Sequence, residues 1–251
     1  ALIRQATTAA ISYSNAEDRQ EVRDRLVAIL ATGLRDAMPG SDHQVAYANG
    51  LATAATTDAA DLLKGWLSGE EVPEGLSIDQ GMRWRLVTAL ARVGRVGEDE
   101  IAAELQRDNT ISGSEQAAGA RAAMPTAQAK QAAWQRATTD DSVPNETYRQ
   151  LVMQFIQPDQ TEVLSPYVDP YLELCKAIDS HEGQWAKAGH AQVQNALMWL
   201  FPSTEVIDAA WLNKLEGWVS DNDPGSTVRR VLAERADNAR RILRCQEASR
   251  G

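Results

Sequence analysis

Three histidines and two cysteines are all the imidazole and thiol ligands this chain of 251 residues offers, and none of them cluster in sequence. His181-Glu182-Gly183-Gln184-Trp185 starts like a zinc-peptidase helix, but Trp185 stands where a second histidine should be. That motif needs two imidazoles four residues apart on one helix face. His190 lies too far along and His43 has no partner in sequence, so no metal is expected in this chain. Phosphate loops are missing too: Val93-Gly94-Arg95-Val96-Gly97 follows no strand and lacks the Lys-Ser/Thr of a P-loop. No Gly-x-Ser-x-Gly elbow occurs, which leaves a serine hydrolase without support. Basic charge is short as well. A net charge of −10 argues against nucleic acid and against an anionic membrane as partners. No apolar run approaches the roughly 20 residues that cross a bilayer. Cys175 and Cys245 fall on predicted helices and fit two buried free thiols in a reducing compartment, so a cytoplasmic protein is expected. The chain also starts without Met, inside a helical pattern, as a fragment of a longer protein would.

What is present is helix. Glu17 to Met38 is amphipathic, with Val22, Leu26, Ile29, Leu30 and Leu34 on one side. Pro39-Gly40 stops it and Ser41 can cap the next, which holds Val45 and Leu51. A further helix starts at Thr57 or Asp58, carries Leu62, Leu63, Trp66 and Leu67, and ends at Gly69. After a loop from Glu70, Ser77 is placed to cap a helix with Met82, Leu86, Leu90 and Val93. Gly97 to Arg107 is a short helix; Ser114 to Met124 and Thr126 to Thr138 are alanine-rich and parted by Pro125.

From Ser142 to Ile178 the pattern is helix, proline-bounded corner, helix. Tyr148, Leu151, Val152, Phe155 and Ile156 form one stripe, and Leu164, Val168, Tyr171, Leu172 and Cys175 answer it. Ser165-Pro166 and Asp169-Pro170 read as N-caps followed by proline. Helices with Trp185 to Leu200 and with Val206 to Val219 follow, then the turn Asp221–Gly225 and a last helix to about Gln246. No convincing period-two alternation occurs. The expected fold is all-α, an irregular α-solenoid of HEAT- or armadillo-like helix pairs forming a single domain over 1–251, with a compact helical bundle as the competing architecture.

Two local features stand out. In the last helix Arg229, Arg230, Arg240, Arg241 and Arg244 fall within an arc of roughly 120°. Arg235 lands among the apolar residues instead, where a guanidinium needs either a carboxylate or a ligand-facing, wet setting. In Met82-Arg83-Trp84-Arg85, Trp84 leaves the main apolar stripe and must pack on a neighbour or line a cleft. Arg83, Trp84 and Arg235 are therefore the candidate cleft-lining or inter-helix polar residues. No catalytic residue is expected.

An ordered series of short phrases runs through the chain. It includes Ala54-Ala55-Thr56-Thr57-Asp58, Val72-Pro73-Glu74-Gly75-Leu76, Arg83-Trp84, Glu104-Leu105-Gln106-Arg107-Asp108-Asn109-Thr110 and Pro144-Asn145. Gln157-Pro158-Asp159-Gln160, Pro166-Tyr167-Val168-Asp169-Pro170-Tyr171 and Asn222-Asp223-Pro224 complete it. In these the chain resembles the C-terminal helical domain of the aminopeptidase N family of zinc metallopeptidases, and bacterial members above all. The resemblance implies a parent that removes N-terminal residues from peptides with Zn-activated water and a glutamate base. It also implies that zinc belongs to a preceding catalytic domain, while this domain is an inactive wall around the peptide chamber. Its partners would be that catalytic domain and the peptide substrates. A free-standing helical-repeat scaffold for a protein partner is the other reading.

Overall fold

The computed structural model describes residues 2–249, and all regular structure among them is helical. The chain runs α1 (Leu2–Thr8), a π-helical turn (Ala9–Tyr13), α2 (Arg19–Asp36), α3 (Asp42–Ala54), α4 (Ala60–Ser68), α5 (Gln80–Arg92) and α6 (Glu98–Arg107). It continues through α7 (Ile111–Ala123), α8 (Ala127–Thr139), α9 (Asn145–Met153), α10 (Thr161–Leu164) and α11 (Val168–Asp179). The last helices are α12 (His190–Trp199), α13 (Ala209–Asn222) and α14 (Ser226–Ala248).

Local chemistry sets the ends. Ser41 accepts from the Gln44 amide and Thr126 from the Ala129 amide, each occupying an N–H that the first helical turn cannot use. Gly69 ends α4 in the left-handed region at φ +87°, which lacks a penalty only for glycine. At α5 the cap is Asp79, accepting from Met82 N at 2.8 Å, rather than Ser77. A carboxylate at that point also faces the positive end of the helix dipole, which favours it over a hydroxyl two residues earlier.

The residues form two compact units, Ala1–Gly113 with Cys245–Gly251, and Ser114–Arg244. In the first, α2 packs on α3 and α4 on α5, while α3 also touches α1 and α5. Its apolar centre includes Leu30, Leu34, Leu51, Leu63, Trp66, Leu86, Leu90 and Ile101. In the second, α8 packs on α9 and α9 on α12. One continuous core there runs from Ala122 through Phe155, Tyr171, Leu197 and Trp211 to Ala239. Short-range helix pairs of this kind are compatible with HEAT-like organisation.

Several expected details differ. On α2 the inward line is Arg23, Leu26, Leu30 and Leu34, and Ile29 is 63% exposed. An arginine takes the inward place because carbonyl acceptors meet it there. α9 stops at Met153, so Phe155 packs from the corner and not from the helix. Asp169 and Pro170 sit in the first turn of α11, whose start at Val168 precedes them; Pro166 instead opens a 3-10 turn over Ser165–Tyr167. Trp185 lies on its own 3-10 turn (Gly183–Ala186), ahead of α12. Val206 and Ile207 precede α13, which Asp208 caps through Trp211 N. Cys175 is buried, but Cys245 is exposed.

Candidate functional site

Arg83 and Trp84 lie on α5 and both reach toward α6. The Arg83 guanidinium grips Glu104 with two hydrogen bonds, Nε to Oε1 at 2.8 Å and Nη2 to Oε2 at 2.6 Å. Its Nη1 donates to Leu67 O at 2.9 Å, near the end of α4. With side chains only 15% and 5% exposed, this fork-on-carboxylate pair is largely shielded from water. Burial alone would push the Glu104 carboxyl up, but Arg83 and Gln80 outweigh it and hold it below its usual value. The bond to Glu104 in turn raises the Arg83 guanidinium. Trp84 is 2% exposed and donates its indole N–H to Asp108 Oδ2 at 2.7 Å, just beyond α6. All four side chains are occupied with one another or with backbone, joining α4, α5 and α6.

A second polar node in this unit surrounds the carbonyl end of α3. Arg92 donates to Thr53 O at 2.7 Å and to Ala55 O at 2.8 Å, and Arg23 reaches Ala55 O at 3.3 Å. Helix-end carbonyls have no intrahelical partner and carry the negative end of the dipole, so cations suit them. Burial still pushes the Arg92 guanidinium down to about 10, with the nearby Arg23 charge adding to the effect.

In the second unit Lys130 does the same for α7. It is fully buried, and its Nζ donates to Ala122 O and Phe155 O, each at 2.7 Å, while standing 5.3 Å from the Phe155 ring centre. Burial pushes its ammonium down to about 7. Gln160 donates to Ala123 O, and Gln184 to Ala137 O near the end of α8. None of these long-range caps was visible in the spacing of residues, because donor and acceptor lie eight or more positions apart.

Arg235, on α14, lies in an aromatic setting. Its guanidinium carbon stands 5.5 Å over the Phe201 ring. Phe201 meets Tyr171 and Trp211 edge-on, at 5.5 and 5.9 Å between ring centres. Tyr171 donates its hydroxyl to Leu197 O at 2.6 Å. Burial lowers the Arg235 guanidinium from its ordinary value, against a smaller upward effect from Tyr171. Of the five outer arginines of α14, Arg229, Arg230 and Arg240 pair with Asp223, Glu234 and Glu216. Arg241 donates to Asn238.

An open groove of about 550 Å³ in the second unit is lined by Trp134, Thr138, Asp169, Pro170, Glu173, Leu174, Ala177 and Trp185. Its two carboxylates already pair with Lys214 and Lys176. Among the described residues no group of three or more His, Cys, Asp or Glu side chains is placed to hold an ion. The buried Cys175 thiol, pushed up to about 12 by burial, is a poor nucleophile.

Within each unit, polar side chains join the helices of an all-helical fold whose family is specific. The chain belongs to the ERAP1-like C-terminal domain family, which it matches over residues 1–241. It is also 37% identical over 248 residues to Aminopeptidase N of Streptomyces lividans. That alignment covers 98% of the chain but only 28% of the relative's length.

Proposed function

We propose that this chain is the non-catalytic C-terminal domain of a zinc aminopeptidase that removes N-terminal residues from peptides. Its role is to enclose the chamber next to the catalytic domain and to limit which peptides enter. Family membership over 1–241, together with a match to about a quarter of an aminopeptidase, carries the reading. In this arrangement the catalytic zinc and its ligands lie outside the 251 residues, in a domain of the same polypeptide. Peptides and that domain are the partners, and the chain alone neither binds zinc in stoichiometric amount nor cleaves peptides.

The coding sequence ahead of Ala1 tests this directly. An in-frame catalytic domain with His-Glu-x-x-His is expected. A start codon immediately upstream would instead leave a free-standing helical scaffold that binds a protein partner. A biochemical arm is independent of that result: aminoacyl-reporter hydrolysis that follows the isolated chain through repeated purification would overturn the proposed division of labour.

A further inference from the structure

Residues 2–18 lie on the first unit with little apolar contact of their own. Only Thr7, Ala10 and Asn15 among them are buried, and two of these are polar. Ile3 makes one close approach, since a Cβ at Gly50 would stand 2.6 Å from its Cγ2. A buried alanine and a half-buried isoleucine bring little area to set against the entropy of ordering the segment.

Further hold comes from the far end of the sequence. Gln246, itself buried, donates Nε2 to Ser12 O at 2.8 Å. Ser12 belongs to the π-helical turn Ala9–Tyr13, whose last carbonyls have no partner within the turn, so Gln246 serves as its C-terminal cap. Asn15 is buried too. Its Oδ1 accepts from Asp18 N at 2.8 Å, and its Nδ2 reaches Ser249 O at 3.1 Å and Oγ at 3.2 Å. Ser249 is anchored in turn, its amide donating to Cys245 O and its hydroxyl to Gln246 O. The corner between the π-helical turn and α2 is thus held at two points by the end of α14 and the residue after it.

We infer that Gln246–Ser249 is a releasable strap over the N-terminal segment. With it seated, residues 2–18 lie against α2 and α3; without it they detach as a local unit while α2 to α5 stay folded. Few and polar contacts with little apolar burial are the pattern of a local opening and not of a global one. Where a catalytic domain precedes Ala1, this segment is the joint to it, and the strap governs how firmly the joint is seated. That consequence rests on the aminopeptidase reading; the strap itself does not.

Hydrogen exchange read by mass spectrometry on the 251-residue protein tests it, with peptides covering 2–18 set against peptides from α2 and α5. Gln246→Met keeps the length of the side chain but removes the donor to Ser12 O. It should speed exchange in 2–18 by about tenfold. A chain ended after Arg244 loses both anchors and should speed it by about a hundredfold. In both, protection in α2 and α5 should stay within about twofold of the unaltered protein. Unchanged exchange in 2–18 would overturn the strap, and packing such as Ile3 on Gly50 would then be what holds the segment. Acceleration spread equally through α2 and α5 would overturn it too, because the end of α14 would then be part of the global core. Should the shortened chain fail to fold, Gln246→Met decides by itself. An upstream sequence without a catalytic domain would remove the joint and leave these exchange results as they are.

Discussion

The two units solve one problem, fixing helices against each other, with different materials. The first uses charge: the Arg83–Glu104 fork, the Trp84–Asp108 bond, and two arginines on the carbonyl end of α3. The second, beside its Lys130 node, relies more on rings. Trp134, Phe155 and Tyr167 pack in one cluster, and Tyr171, Phe201 and Trp211 in another. Charged nodes are directional and fail abruptly when one partner is lost, because the other is left shielded and unpaired. Ring clusters lose contact area in proportion to what is removed and leave a cavity behind.

Breaking each material in turn separates the two modes. Phe155→Ala should have the largest effect, about 3–5 kcal/mol by urea unfolding, since it removes a fully buried ring and the ring beneath Lys130. Glu104→Ala should approach that figure, about 3 kcal/mol, by leaving Arg83 without its acid. If Glu104→Ala, Arg83→Met together prove milder than Glu104→Ala alone, the unpaired charge is the cause. Arg92→Met should cost about 1–3 kcal/mol through carbonyls left without their main donor.

pH offers a quieter probe of the same contrast. The Lys130 ammonium is pushed down to about 7 in the folded state from an ordinary 10.5, so the unfolded chain binds more protons between those values. Stability contributed by Lys130 therefore rises with pH across that window and is flat below it; Lys130→Met should remove the slope. Glu104 acts at the acid end. Its carboxyl is held below the usual range, so its contribution is present above the unfolded value and is lost as pH falls through the folded one. Last and smallest, Arg240→Ala should change stability by at most about 1 kcal/mol, because its pair with Glu216 is partly solvated.

Much of this was legible in sequence where the cause is local. Ser41, Gly69 and Thr126 mark helix ends through contacts within four residues, and the stripes from Tyr148 to Cys175 identify buried faces; the expected turn at Asp221 begins two residues later, because α13 runs on to Asn222. Ser77 was the expected cap of α5, but Asp79, an equally good capping type two residues on, takes that place. Arg23 and Ile29 exchanged places because hydrophobic periodicity has no means of seeing a carbonyl 32 residues away. Lys130 was invisible for the same reason: nothing local distinguishes a lysine that finds two acceptors from one in water. Arg235 was half legible. The helical wheel put it among apolar residues, but only coordinates show that a ring face, and no carboxylate, lies beside it.

One clasp in the first unit also sets a schedule. Asn15 donates to Ser249 O and Oγ, and Gln246 donates to Ser12 O, so residues from the two ends of the sequence are joined within one unit. On the ribosome, the segment 114–244 emerges whole while the segment before it still lacks its closing residues. Contacts of the first unit are thus among the last to become possible, after all of 114–244 has been synthesised.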